Sequence, residues 1–157
     1  METTAVEILL IEDNPHEALL TIRALRKQNL PNHLLHIDDG MEALDFLFSK
    51  GKYEAREAAV ELKLILLDLK LPKLGGIEIL RQIKSDIRTR MVPVVVLTSS
   101  REEQDLFACY KLCANSYIVK PVEFEQFSKA VGDVGLYWMK LNVSFTTSEA
   151  KENSPTL

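Results

Sequence analysis

Five side chains of this sequence could do chemistry together. They are the carboxylates of Glu12, Asp13 and Asp68, the hydroxyl of Thr98 and the ammonium of Lys120. Each follows a short apolar run: Ile8–Ile11 before the acidic pair, Leu64–Leu67 before Asp68, Val92–Leu97 before Thr98, and Ser116–Val119 before Lys120. Two carboxylates about 5 Å apart repel by roughly 3 kcal/mol at an effective dielectric near 20. Three of them are poorly balanced by a single lysine. A hard divalent cation would relieve the excess, and carboxylates with water suit Mg²⁺. Any one of these residues alone reads as a solvated loop carboxylate. Their shared position at the ends of apolar runs makes them a candidate site.

Apolar runs, caps and breakers outline the secondary structure around these residues. The near-continuous run 6–11 suits a strand covered on both faces. Asn14 fits an N-cap, Pro15 the first helical position, and Glu17 the reciprocal glutamate of a capping box, opening a helix to about Gln28. Residues 29–32, with Pro31, read as a turn. Leu34–Ile37 is a second strand, and Asp39 with Glu42 repeats the box before a helix over Met41–Phe48 that ends at Gly51. Residues 49–60 are charged and Ala-rich and read as a long surface connection. Leu64–Asp68 is the most apolar strand, and the breakers Pro72, Gly75 and Gly76 make the next loop. Ile77, Ile79, Leu80 and Ile83 follow at helical spacing, then the β-branched strand Val92–Leu97. Ser100 fits a cap with Glu103 three residues on. Leu106, Phe107, Tyr110 and Leu112 fall on a fourth helix, Ser116–Val119 forms a fifth strand, and Phe124, Phe127, Val131, Val134 and Trp138 fall on a fifth helix. Five strand–helix alternations predict an α/β fold, a doubly wound parallel sheet with helices on both faces. Such sheets bind ligands at the carboxyl ends of their strands.

Composition narrows the function classes. The 157 residues suit one domain. A net charge of −4 with no basic cluster argues against nucleic acid. Cys109 and Cys113 do not make a disulfide framework, and four residues apart on a helix they read as a reduced, mostly buried pair. The longest early apolar run is too short for a signal peptide or a membrane span, which predicts a cytoplasmic protein. The polar tail over 142–157 is expected to be disordered beyond Phe145.

Glu12-Asp13, Asp68, the following Pro72 and Gly76, Thr98-Ser99 and Lys120-Pro121 together resemble the response-regulator receiver domains of two-component signalling, over about residues 6–140. The resemblance implies a five-stranded sheet of order 2-1-3-4-5 and a receiver domain spanning 1–141. It implies that Asp68 accepts a phosphoryl group from a histidine kinase, with no enzymatic turnover beyond self-catalysed transfer and autodephosphorylation. Asp13 and Asp68 would ligate Mg²⁺ directly, Glu12 through water, and Lys70 through its backbone carbonyl. Thr98 and the Ser99 N–H would hold the phosphoryl group beside Lys120. Thr98 and Tyr117 would be the switch residues, and the peptide before Pro121 would be cis. The side chains of Lys70 and Ser100 would tune loss of the phosphoryl group, in a direction the sequence leaves open.

The segment between the acidic pair and Asp68 is roughly ten residues longer than in compact members, which places an insertion at about 49–60. That insertion, Leu66–Lys73 and Leu136–Met139 resemble the single-domain regulators partnered with bacterial and cyanobacterial phytochrome histidine kinases. The roughly 17 residues after the last helix are expected to be too few for an output domain. Output is therefore expected by protein contact. Leu106, Phe107, Cys109, Tyr110, Leu112 and Cys113, with Tyr137, Trp138, Met139 and Leu141, are expected to form a broad apolar surface for a downstream protein or a homodimer, the alternative being that they pack on the insertion and the tail. The competing reading is a receiver-fold interaction module that takes no phosphate. Departures at the pocket would favour it, and the five pocket residues show none. The histidines suggest no site.

Overall fold

The computed structural model describes residues 5–30, 33–56 and 62–144. Pro31, part of the 49–60 connection and the tail beyond 144 lie outside the described residues. Five strands alternate with five helices: β1 (Ile8–Ile11), α1 (Pro15–Lys27), β2 (Leu34–Ile37), α2 (Gly40–Leu47), β3 (Leu64–Leu67), α3 (Gly76–Ser85), β4 (Val94–Thr98), α4 (Glu103–Lys111), β5 (Ser116–Val119) and α5 (Phe124–Leu136). The sheet is parallel with order β2-β1-β3-β4-β5, the doubly wound order expected.

The apolar runs are continuous because both faces of the sheet are covered, and the period of two sorts them. Ile8, Leu10, Leu64, Leu66, Val95 and Leu97 face α1 and α5, where Leu25, Phe127 and Val131 close that half of the core. Leu9, Ile11, Ile65, Leu67, Val94 and Val96 face the other helices, against Leu47, Ile79, Ile83 and Cys109.

The caps follow their side chains. Asn14 Oδ1 accepts from the amides of His16 (3.0 Å) and Glu17 (3.1 Å), and Asp39 Oδ1 accepts from Met41 (2.8 Å) and Glu42 (3.2 Å). Neither glutamate completes its box. Glu42 holds the Tyr53 hydroxyl at 2.9 Å and Lys52 at 2.5 Å, so the insertion is tied back onto α2. Within it, Gly51–Tyr53 form a 3₁₀ turn, and the Arg56 guanidinium lies 3.6 Å over the Phe46 ring.

Several expectations shift. β4 begins at Val94, because Pro93 has no N–H and the Val92 amide turns back to Thr89 O at 3.0 Å. α4 begins at Glu103 with Glu102 at the cap position, so Ser100 lies ahead of the helix and does not cap it. Cys109 is buried but Cys113 is exposed, because the helix ends first. Cys113 sits at φ 69° in a closing turn where Ala114 N bonds Cys109 O at 3.0 Å. α5 runs on through a π turn over Tyr137–Leu141, closed by Asn142 N on Tyr137 O at 2.6 Å. No helix of the described residues is long and apolar enough to cross a membrane.

Candidate functional site

Register brings the candidate residues to one edge. Ile11 pairs Leu67, so Glu12 and Asp68 leave adjacent strands side by side, with Asp68 N bonded to Ile11 O at 3.1 Å. Thr98 pairs Val119, so Lys120 leaves β5 next to Thr98 O, which accepts its amide at 2.7 Å. The chain beyond β3 turns so tightly that a Cβ on Gly76 would lie 2.3 Å from Asp68 O and 2.6 Å from Leu69 Cα. Glycine at that position lets α3 start directly under the acidic residue.

Lys120 is the hub. Its Nζ donates to Glu17 Oε2 at 2.6 Å, Glu12 Oε2 at 2.8 Å and Asp68 Oδ2 at 3.2 Å. Glu12 is 3% exposed, Asp68 7% and Lys120 8%. Burial pulls the ammonium toward its neutral form, but hydrogen bonds to Glu12 and Glu17 and the charge of Asp68 outweigh it and raise its pKa. Burial also pushes the Glu12 carboxyl up to about 7, against the bond from Lys120 and helped by the charge of Asp68. One ammonium thus leaves this pocket with an excess of negative charge.

The second oxygens of Glu12 and Asp68 have local anchors. Glu12 Oε1 accepts the Asn14 amide at 3.1 Å, and Asp68 Oδ1 accepts the Lys70 amide at 3.3 Å. Thr98 is fully buried, and its hydroxyl oxygen accepts the Ser100 amide at 3.2 Å. The Ser100 hydroxyl is buried and donates to Asp105 Oδ2 at 2.5 Å, so it is not a solvated surface group. The Tyr117 hydroxyl donates to the Ser100 carbonyl at 3.1 Å, and burial raises its pKa. Asp13, Ser99 and the Lys70 side chain are exposed around the mouth.

The oxygens of Glu12, Glu17 and Asp68 all lie within 4.8 Å of one another, a hard donor set with unbalanced charge that fits a divalent cation. Asp13 is not in that triad; Glu17 joins it because Lys120 gathers all three carboxylates. The capping-box spacing gave Glu17 a local role and hid its tertiary one. His36 was also missed: its Nε2 stands 2.7 Å from the Glu12 carbonyl, steadying the β1–α1 turn. The peptide before Pro121 is trans, against expectation. Cis and trans X–Pro differ by only about 0.5–1 kcal/mol, and the trans chain already carries Lys120 into contact with all three carboxylates.

Residues 8–132 match the model of the response regulator receiver domain. A probable methanogenesis regulatory protein of Methanothrix harundinacea, FilR2, is 39% identical over 137 residues, 87% of this chain and 86% of that protein. Response regulator Rcp1 of Synechocystis is 36% identical over 133 residues, 85% of this chain and 88% of that protein, and a structure of Rcp1 in its Mn²⁺-bound form aligns with a TM-score of 0.82. The structure of the phosphorylated cyanobacterial phytochrome response regulator RcpA aligns with the same TM-score of 0.82 at 36% identity, covering 90% of this chain and 99% of that one.

Proposed function

The chain belongs to the response regulator receiver domain family, and on that premise we propose that Asp68 is its phosphoacceptor, loaded by the phosphohistidine of a sensor histidine kinase. The reading rests above all on Lys120, whose ammonium is 3.2 Å from Asp68 at the strand edge shared with Thr98. In the transfer the donor's P–N bond breaks as a P–O bond forms to an Asp68 carboxylate oxygen. The imidazole leaves with the bonding pair and takes a proton from solvent. Lys120 offsets the charge on the equatorial phosphoryl oxygens, and the Thr98 hydroxyl and Ser99 N–H hold the product. Asp13, Asp68 and the Lys70 carbonyl, with Glu12 through water, would hold Mg²⁺, which would supply positive charge to the transferring group. The excess of carboxylate charge around Asp68 supports a cation in this pocket, as does the Mn²⁺ held by Rcp1. Self-catalysed transfer and loss of the phosphoryl group are the chemistry of the chain.

Output is a population shift. The Thr98 hydroxyl holds the Ser100 amide, and drawing it toward a phosphoryl group releases that loop, which Tyr117 ties to β5. The receiver unit, 1–141, presents Leu106, Phe107 and Tyr110 exposed on α4 and Tyr137 and Leu141 exposed at its end. Cys109 is buried, and Trp138 and Met139 pack on the core, so the partner surface is narrower than the sequence pattern. A downstream protein or a second copy binds there. The cognate kinase is of the phytochrome type, by likeness to RcpA, and the setting is cytoplasmic.

The test is intact-protein mass after incubation with acetyl phosphate, with and without Mg²⁺. A single phosphoryl adduct that needs both Mg²⁺ and Asp68 is expected. A folded wild-type protein with no adduct and no beryllofluoride binding would leave an interaction module that takes no phosphate.

A further inference from the structure

We infer that Glu17, on the first turn of α1, competes with the incoming phosphoryl group for Lys120 and so sets how readily the pocket accepts an anionic phosphodonor. The inference rests on the reading of Asp68 as phosphoacceptor.

A lysine ammonium carries three hydrogens. Here all three are taken, by Glu17 at 2.6 Å, Glu12 at 2.8 Å and Asp68 at 3.2 Å. A phosphoryl oxygen can bind Lys120 only by displacing one of them. Asp68 is the acceptor itself, and its other oxygen is held by the Lys70 amide. Glu12 is buried, with its other oxygen on the Asn14 amide. Glu17 differs on both counts. Its side chain is 36% exposed, and among the described residues Lys120 is the hydrogen-bond partner of its carboxylate.

Nor does α1 need the Glu17 side chain. Asn14 Oδ1 caps the first amides, and Glu12 supplies the oxygen for the Asn14 N–H that a capping box would draw from Glu17. Glu17 is therefore the carboxylate that can return to water when a phosphodonor enters. It holds the shortest of the three contacts until then. Removing its charge frees one ammonium hydrogen and makes the pocket less repellent to anions.

The experiment compares Glu17→Gln and Glu17→Ala with wild type, following adduct formation by intact mass at fixed, saturating Mg²⁺. Two donors are used: dianionic acetyl phosphate and singly charged phosphoramidate. Melting by circular dichroism confirms that each variant is folded. Asp133→Asn makes the same charge change on α5, in an exposed pair with Lys129. Both Glu17 variants should form adduct roughly two- to fivefold faster with acetyl phosphate, chiefly through a lower apparent KM, the scale of one part-exposed ion pair. The gain should be smaller with phosphoramidate and absent in Asp133→Asn. Folded Glu17 variants no faster than wild type, or an equal gain from Asp133→Asn, would overturn the inference while leaving Asp68 as acceptor. A folded wild type that takes no phosphoryl group from either donor and binds no beryllofluoride would instead overturn the receiver reading, and this inference with it.

Discussion

Lys120 Nζ lies 3.2 Å from Asp68 Oδ2, although 52 residues separate them in the chain. Asp68 is the weakest of three carboxylate claims on that ammonium. Asp68→Asn keeps an oxygen for Lys120 and removes one negative charge from a pocket that has too many. Like charges about 5 Å apart repel by roughly 3 kcal/mol at an effective dielectric near 20, and Lys120 offsets part of this, so a gain of about 1 kcal/mol is expected without divalent cations. Urea unfolding should show a higher midpoint at unchanged slope. Adding Mg²⁺ should stabilise wild type more than the variant, since binding only to the folded form adds stability. A lower midpoint for Asp68→Asn would mean that the pocket is not in charge excess.

Glu12 gives the protein a pH dependence of unusual sign for a carboxylate. Burial raises its pKa from 4.5 to about 7 in the folded chain, so between those values the folded state holds a proton that the unfolded state has lost. Stability therefore falls as pH rises through that window and levels off above it. At about 1.4 kcal/mol per pKa unit, the fall is of the order of 3 kcal/mol. Glu12→Gln should flatten the profile between pH 4.5 and 7 when midpoints are measured in the presence of a chelator. A Glu12→Gln profile no different in slope from wild type over this window would refute the assignment.

Two adjacent glycines allow a sharp comparison. A methyl group on Gly76 would meet backbone at 2.3 Å, whereas on Gly75 the nearest atom is 3.9 Å away. Gly76→Ala must push α3 off the end of β3, and overpacking of this kind costs about 1–3 kcal/mol or more. Gly75 has φ −71° at the helix cap, so Gly75→Ala should change stability by less than about 1 kcal/mol. The shift in Gly76→Ala also moves Asp68 relative to Lys120, so adduct formation should fall there and persist in Gly75→Ala. Equal midpoints for the two variants would contradict the close approach.

The sheet and its pocket edge were legible because local rules and tertiary demands agree there. Strands buried on both faces read as continuous apolar runs, and Asn14 and Asp39 cap as their side chains predict. Glu12, Asp68, Thr98 and Lys120 follow because the edge of a parallel sheet collects strand ends. Glu17 was misread because a capping box and a long-range ion pair can use the same spacing. Once Glu12 had taken the Asn14 amide, Glu17 was free to reach across the sheet. Ser100 is displaced from the cap position: its oxygen accepts the Glu102 amide at 3.3 Å, one residue ahead of the helix, while its hydroxyl donates to Asp105 and its amide to Thr98. Cys113 takes a left-handed turn that is commonly given to glycine, so nothing in the residue type marked the helix end. His36 could not be found at all, since a strand histidine shows its partner only once β1 and β2 are paired.

Tyr117 separates the switch from the chemistry. The loop after β4 is held at three points: Thr98 takes the Ser100 amide, Asp105 its hydroxyl and Tyr117 its carbonyl. The Tyr117 hydroxyl binds the loop and neither Asp68 nor Lys120, so Tyr117→Phe should leave adduct formation with acetyl phosphate within about twofold of wild type while costing about 0.5–1.5 kcal/mol from the lost hydrogen bond. Its effect should instead be local. Amide hydrogen exchange over residues 99–106 should quicken in Tyr117→Phe without any phosphoryl group, because the loop opens more often. Beryllofluoride on the wild-type protein should alter exchange over the same residues, since it draws on Thr98, the loop's other anchor. If Tyr117→Phe leaves exchange there unchanged, the hydroxyl is not what holds the loop, and the coupling between β5 and the phosphoacceptor pocket must run through packing instead.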